Sequence, residues 1–322
     1  MKGEPIPTID LSCTQDDEIA VQLRAACRDV GFFMLVGHGC KEELRRAVYS
    51  ASAQFFALPT HVKQTVHTST NTYNRGWTPL GEQTLCPEKQ TVGDTKEGFY
   101  IGRDIGPDHP LSGTPLHGPN VWPSEDMTPG FRQTMESYLA HMSSVAHRLV
   151  RLLALSLDMR ADALADKFDE AIVVLRLLHY SEQRSRVDEA GKGVFACGEH
   201  TDWGVLTLLS TDDNPGLQIQ LKSGEWVDVP PRPDALIVNL GDMLQRWTNG
   251  IYRSTPHRVL NVTGRERYSI PFFLEPNFHA RIECFAACRA ERGGAELFPP
   301  DTCGNLLLAK HRETHKDFKD KP

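Results

Sequence analysis

Three side chains that lie far apart in the sequence carry ligand chemistry if a fold brings them together. His200-Thr-Asp202 sits where the chain enters the apolar run Val205-Leu-Thr-Leu-Leu209. On an extended segment residues i and i+2 face the same way, so an imidazole and a carboxylate project together while Thr201 turns away. One such pair does not fix a metal. His257 is the candidate third ligand, because Pro256-His-Arg-Val-Leu260 opens another strand-like run after a turn rich in Gly, Asn and Ser. Two imidazoles and one carboxylate on one face leave coordination positions open, which suits Fe(II) and O2 chemistry. H-x-D triplets also arise by chance. His315-Lys-Asp317 is a second one in this chain, and in a Lys/Asp-rich tail with no strand around it, it reads as solvated surface.

A second constellation follows. Arg267-Tyr-Ser269 places two polar side chains on one face of a strand candidate, and the next residues, Ile270-Pro-Phe-Phe273, are apolar. An Arg that faces a core needs an anionic partner, since an unpaired buried charge is expensive. Its planar fork binds a carboxylate through two parallel hydrogen bonds, and a hydroxyl adds a third. That carboxylate belongs either to a ligand or to a protein Asp or Glu.

The elements that must position these groups change character along the chain. The front half is mixed: a short strand at Pro7-Thr-Ile-Asp-Leu11, a helix over 16–30 stopped by Gly31, a buried strand at Gly31-Phe-Phe-Met-Leu-Val36, and a helix over 41–57 closed by Pro59. Residues 70–125 are rich in Gly, Pro and Asn and read as loops and short strands, and 130–157 as a long helix. From Ala171 to Cys284 the segments are short, β-branched and broken by turn residues, which points to a sandwich or barrel. The segment from Gly304 to His315 reads as a helix, and 316–322 as a polar tail. The predicted fold is therefore mainly β with surrounding helices.

Composition narrows the partners. The 322 residues carry a formal net charge of -7 and no Lys/Arg-rich run, so a nucleic-acid partner is not expected and a small solute is. The most apolar stretch, Ala171 to Leu178, is short and contains Arg176, so no membrane span is expected. The N-terminus has no apolar signal core, and eight scattered cysteines lack framework spacing. Reduced thiols in a cytoplasmic protein, working as a monomer, is the expectation.

The ordered set His200-Thr-Asp202, His257, Arg267-Tyr-Ser269 resembles the Fe(II)/2-oxoglutarate dioxygenases, in their isopenicillin N synthase-like branch. Asn239-Leu-Gly-Asp242, Asn249-Gly250, Arg253-Ser-Thr-Pro-His-Arg-Val259 and Leu177-Leu-His-Tyr180 are similar to that branch around the ligands, and Gly31-Phe-Phe, Gly37-His-Gly39 and Phe55-Phe-Ala-Leu-Pro59 in the front half. The resemblance implies a double-stranded β-helix, or jelly roll, over 166–290. Residues 1–165 would be an α/β region packed on it, and 291–322 a C-terminal helix and tail. It also implies that His200, Asp202 and His257 bind Fe(II), and that Arg267 and Ser269, with Tyr180, hold 2-oxoglutarate. The enzyme would then hydroxylate, desaturate or cyclise a small organic molecule with O2, releasing succinate and CO2. In such relatives the segments Tyr73–Trp77 and Lys96–Tyr100 line the mouth of the jelly roll. Arg75, Trp77, Phe99 and Trp203 are accordingly substrate-pocket candidates, and packing of a lid onto the core is the alternative for each. A pocket-facing Arg75 would favour an anionic substrate. Three rivals stay open on the sequence: an Fe(II) oxidase of the same branch that uses no 2-oxoglutarate, a zinc-dependent hydrolase or isomerase on a β-barrel, and a binding jelly roll without chemistry.

Overall fold

Segments with period-two or continuous apolar patterns become strands in a computed structural model, which describes residues 6–314. The His315-Lys-Asp317 triplet and the tail 316–322 lie outside the described residues. The strands are β1 (Thr8–Asp10), β2 (Phe32–Val36), β3 (Gly76–Thr78), β4 (Lys96–Gly102), β5 (Ile172–Tyr180), β6 (Arg186–Val187), β7 (Gly193–Val194), β8 (Cys197–His200), β9 (Leu206–Thr211), β10 (Leu217–Gln220), β11 (Trp226–Asp228), β12 (Leu236–Leu240), β13 (His257–Val259) and β14 (Arg267–Glu275). The helices are α1 (Asp16–Asp29), α2 (Glu42–Phe56), α3 (Thr60–Gln64), α4 (Phe131–Ser156), α5 (Asp242–Trp247), α6 (Ala286–Glu291) and α7 (Cys303–Thr314). Three of these, α3, α5 and the short α6, are not among the expected helices. Pro59 does end α2, but it also precedes α3 directly, because a fixed φ suits the entry to a helix. Helix α5 occupies a stretch read only as connecting text.

Eight strands form one sheet in the order β1-β2-β12-β9-β14-β5-β4-β3, and β11-β10-β13-β8 form a second. Only β1 and β2 run parallel in the large sheet; its other neighbours are antiparallel. Strands β1 to β4 come from the front half, so that region extends the same sheet that carries β5, β9, β12 and β14.

Alternation then sorts side chains between two layers. On β2, Phe33 and Leu35 enter the core shared with α1, α2 and α4, while Phe32 and Met34 enter the core between the sheets. On β5, Leu175 and Leu177 take the helix side, and Leu178 and Tyr180 the inter-sheet side. Helix α4 covers the outer face through Phe131, Met135, Tyr138, Met142, Val145 and Leu149, a stripe at helical spacing. Each such side chain, fully buried, stabilises the fold by about 1.5–3 kcal/mol. The helices therefore hold one face of the large sheet rigid. Its other face is left to the small sheet and the space between them.

Candidate metal centre

Strands β8 and β13 pair so that His200 stands directly across from His257, and the two rings lie 4.2 Å apart between centroids. Each ring is anchored from behind. His200 Nδ1 donates to the Gly198 carbonyl at 2.8 Å, and His257 Nδ1 to the Thr255 carbonyl at 3.1 Å. A carbonyl only accepts, so Nδ1 carries the proton and Nε2 turns inward in both rings. Asp202 lies two residues beyond the end of β8, in the connection to β9, rather than on the strand itself. Thr201 still turns away, donating its hydroxyl to Asp242 Oδ2 at 3.2 Å.

Asp202 uses its two oxygens differently. Oδ2 accepts from Thr207 Oγ1 at 2.5 Å and from Asn239 Nδ2 at 2.6 Å. Oδ1 points the other way, 3.7 Å from Nε2 of both histidines. The three potential ligand atoms fall within 4.8 Å of one another, which fits a single metal ion. Burial, with His257 beside it, pushes His200 down to about 4, so the ring is neutral, as a ligand must be. Burial alone would raise the Asp202 carboxyl. The two imidazoles and the bonds from Asn239 and Thr207 outweigh it and hold the carboxyl below its ordinary range.

The Arg267 constellation opens into the same cavity. Arg267 is opposite Tyr180 in the β14–β5 register, and Ser269 follows on the same face. Ser269 Oγ donates to the Tyr180 hydroxyl at 3.4 Å, and the Arg267 guanidinium lies 4.9 Å over the Tyr180 ring. Arg267 is 3% exposed, and its Nε reaches the Asn214 carbonyl at 3.3 Å. Its Nη1 is buried, with no partner among the described residues. Asp212 attracts it without ion-pair contact, so the salt bridge weighed against a ligand carboxylate is not made. A buried, unsatisfied guanidinium nitrogen fits a carboxylate supplied from outside the chain.

Residues 170–276 match the 2OG-Fe(II) oxygenase superfamily, and residues 6–125 match the N-terminal region of non-haem dioxygenases in morphine synthesis. A 2-oxoglutarate-Fe(II) type oxidoreductase, hxnY of Emericella nidulans, is 37% identical over 92% of this chain and 85% of its own length. Clavatol oxidase claD of Penicillium crustosum is 37% identical over 83% of this chain and 82% of its own. A Neurospora crassa protein solved with alpha-KG superimposes at a TM-score of 0.82 with 29% identity, covering 96% of both chains. The same protein solved with alpha-KG and thymine gives 0.81 and 28%, over 97% of this chain and 98% of that one. The chain belongs to the 2-oxoglutarate- and Fe(II)-dependent oxygenases. Its sandwich is therefore the jelly roll, and its cofactors are Fe(II), 2-oxoglutarate and O2. Membership sets aside the zinc hydrolase and the binding jelly roll without chemistry.

The oxygenase cavity is built by alternation on four adjacent strands. Tyr100 on β4, the set Val174, Arg176, Leu178 and Tyr180 on β5, the set Arg267, Ser269, Pro271, Phe273 and Glu275 on β14, and Thr207 and Leu209 on β9 all face it. Of the four substrate-pocket candidates, Arg75 and Trp203 line it. Trp77 and Phe99 do not. Phe99 sits on β4 between Gly98 and Tyr100, so it points to the opposite face and packs on Phe55 and Phe131 at centroid distances of 4.7 and 5.5 Å. Trp77 faces the same way and donates its Nε1 to Glu97 Oε2 at 2.7 Å, in a buried network with Lys63 and His179. For these two the lid-packing alternative describes the surroundings. Phe99→Ala is expected to cost about 3–5 kcal/mol in denaturant unfolding, with the 2-oxoglutarate affinity of the folded protein unchanged.

Several lining residues went unnominated. Arg176 and Glu275 continue the alternating faces of β5 and β14, a signal present in the sequence. Burial, together with the Asp202 and Asp242 charges, pushes Glu275 up to about 8, so it is a neutral acid at pH 7. Leu307 and His311 reach in from α7, and His311 meets Trp203 edge-on at 5.1 Å. No local pattern in α7 announces that.

Proposed function

We propose that His200, Asp202 and His257 hold the iron, that Arg267, Ser269 and Tyr180 hold 2-oxoglutarate, and that the enzyme uses both to oxidise a small organic molecule. The observation that carries this reading is the buried, unpartnered Nη1 of Arg267, which shares one cavity with the converging Nε2, Nε2 and Oδ1 atoms. The bound iron and cosubstrate supply O2 activation with release of succinate and CO2, and leave the substrate hydroxylated, desaturated or cyclised. The chain's own part is positioning. Gly198 and Thr255 carbonyls orient the imidazoles, Thr207 and Asn239 occupy the outer oxygen of Asp202, and apolar walls exclude water.

The cavity's walls are mainly apolar with a few polar groups converging on it, the make-up of a small-molecule site. Solved relatives hold thymine or 5-formyluracil beside alpha-KG. In this reading residues 166–290 carry the chemistry, the described part of 1–165 braces it, and the described part of 291–322 helps cover it. The enzyme works as a cytoplasmic monomer; eight free thiols fit a reducing compartment, and no described helix is long and apolar enough to cross a membrane.

The test is anaerobic titration of Fe(II)-loaded protein with 2-oxoglutarate, watching for the weak visible charge-transfer band of the chelate. A saturable band, followed by stoichiometric succinate release with substrate and O2, is expected. Bound iron without a band would favour the oxidase that needs no 2-oxoglutarate.

A further inference from the structure

Three guanidinium groups face the oxygenase cavity, and among the described residues none is in ion-pair contact with a carboxylate: Arg75, Arg176 and Arg267. The cofactors account for one of them. An iron(II) held by a single carboxylate keeps one net positive charge, and with Arg267 this balances the two negative charges of 2-oxoglutarate. Arg75 and Arg176 remain uncompensated. Lys96, the other cation lining the cavity, already has Asp94. Leaving two buried cations unpaired is costly, so a fold that keeps both has a use for them.

The sequence makes room for this pair. Gly98 and Gly102 flank Tyr100 on the cavity face of β4. A Cβ at Gly102 would come within 2.2 Å of Arg75 Nη2, and one at Gly98 within 3.0 Å of Arg176 Nε. Tyr100 between them carries the Arg176 guanidinium over its ring at 4.3 Å. Arg176 is 8% exposed, with Nη1 bound to Gln83 Oε1 at 2.9 Å and Nε buried without a partner. Arg75 is held more firmly: Nη1 and Nη2 both donate, to the Tyr73 and Leu116 carbonyls at 2.9 and 3.0 Å, and only its Nε, buried like that of Arg176, lacks a partner among the described residues. Arg176 is thus the cation with an edge to offer, and Arg75 adds positive potential beside it.

We propose that Arg176 binds the acidic group of the primary substrate, and that this substrate is a small carboxylate about one ring in size. A planar, singly charged carboxylate matches a guanidinium edge and neutralises it. Size follows from the sheet. Arg176 on β5 lies two strands across and two residues along from Thr207 on β9, the residue that holds the metal-ligand carboxylate, which sets their backbones roughly 12 Å apart. Both side chains reach inward over that span, and Val174, Leu178, Leu116 and Phe273 give it apolar walls. One ring bridges what is left.

The inference rests on the reading of this cavity as the iron and 2-oxoglutarate site, and its test separates the two. Full-length protein loaded with Fe(II) and 2-oxoglutarate under nitrogen is titrated calorimetrically with one- and two-ring carboxylates, benzoate and its heteroaromatic analogues among them, each beside its own primary amide. At least one acid is expected to bind roughly tenfold to a hundredfold more tightly than its amide. Arg176→Gln should erase that preference and Arg176→Lys retain part of it, both with 2-oxoglutarate affinity unchanged, which also verifies folding. Amides that bind as well as acids, a panel in which no acid binds, or a preference that survives Arg176→Gln would each overturn the assignment. Failure of wild-type protein to bind 2-oxoglutarate would instead remove the cosubstrate reading, and this inference with it.

Discussion

Asp202→Asn is expected to abolish iron retention and turnover while the metal-free protein stays folded. The amide is nearly isosteric with the carboxylate. Its oxygen can still accept from Thr207 and Asn239, whose bonds to Oδ2 measure 2.5 and 2.6 Å in the wild type. With the oxygen so engaged, the new NH2 group turns to where Oδ1 stood, facing Nε2 of His200 and of His257, each 3.7 Å from Oδ1 in the wild type. A donor then stands where the metal needs an anionic ligand. The loss of affinity should exceed the roughly 100-fold that removal of an outer hydrogen-bond partner alone costs. The folded state should lose only about 1–2 kcal/mol, since two charge-assisted hydrogen bonds become neutral ones. Iron per chain after desalting and a thermal melt of the apo protein read the two quantities separately. Iron bound at wild-type stoichiometry would remove Asp202 from the ligand set, and an unfolded variant would show that its main work is structural.

How far the site was legible in the sequence depends on burial. The pair His200 and Asp202 stood out because polar groups at i and i+2 interrupt apolar text, and Arg267 and Ser269 did so for the same reason. On β5, Arg176 is a lone charge in an apolar run, and four residues before Tyr180 it shares that residue's face, so its position could be read off. Strand β4 offered no such contrast. All seven residues from Lys96 to Gly102 are buried, because one face meets the helices and the other meets the cavity. Hydrophobic alternation, the usual guide to phase, is then silent. Phe99 was nominated where Tyr100 is the lining residue, a one-residue error that changes the face. Trp77 failed likewise on β3, buried on both sides. The glycines at 98 and 102 held the missing phase, since they mark where another group approaches the backbone. The reach of α7 into the cavity depends on how a distant helix packs, and short-range pattern does not carry that.

Arg267→Ala should weaken 2-oxoglutarate binding more than any other substitution outside the metal ligands. In the wild type, Arg267 is 3% exposed, Nη1 has no partner among the described residues, and the guanidinium lies 4.9 Å over the Tyr180 ring. Such a cation is pre-organised for one carboxylate and is shielded from water that would otherwise compete. Removing one member of a buried, hydrogen-bonded charge pair costs about 2–5 kcal/mol, a loss of affinity of roughly thirtyfold to several thousandfold. Ser269→Ala should cost far less, about 0.5–1.5 kcal/mol, because its hydroxyl has Tyr180 as an alternative partner at 3.4 Å. The contrast between these two variants is the informative quantity. A general disturbance of β14 would depress both alike, and it would also disturb iron binding through the neighbouring β9. Charge recognition predicts a large gap between them with iron stoichiometry unchanged, and partial rescue by Arg267→Lys, which restores the charge without the fork. Equal losses in Arg267→Ala and Ser269→Ala, at full iron occupancy, would move the cosubstrate carboxylate to another cation in the cavity. Arg176 would then be the first to examine, and its place at the substrate end would have to be given up.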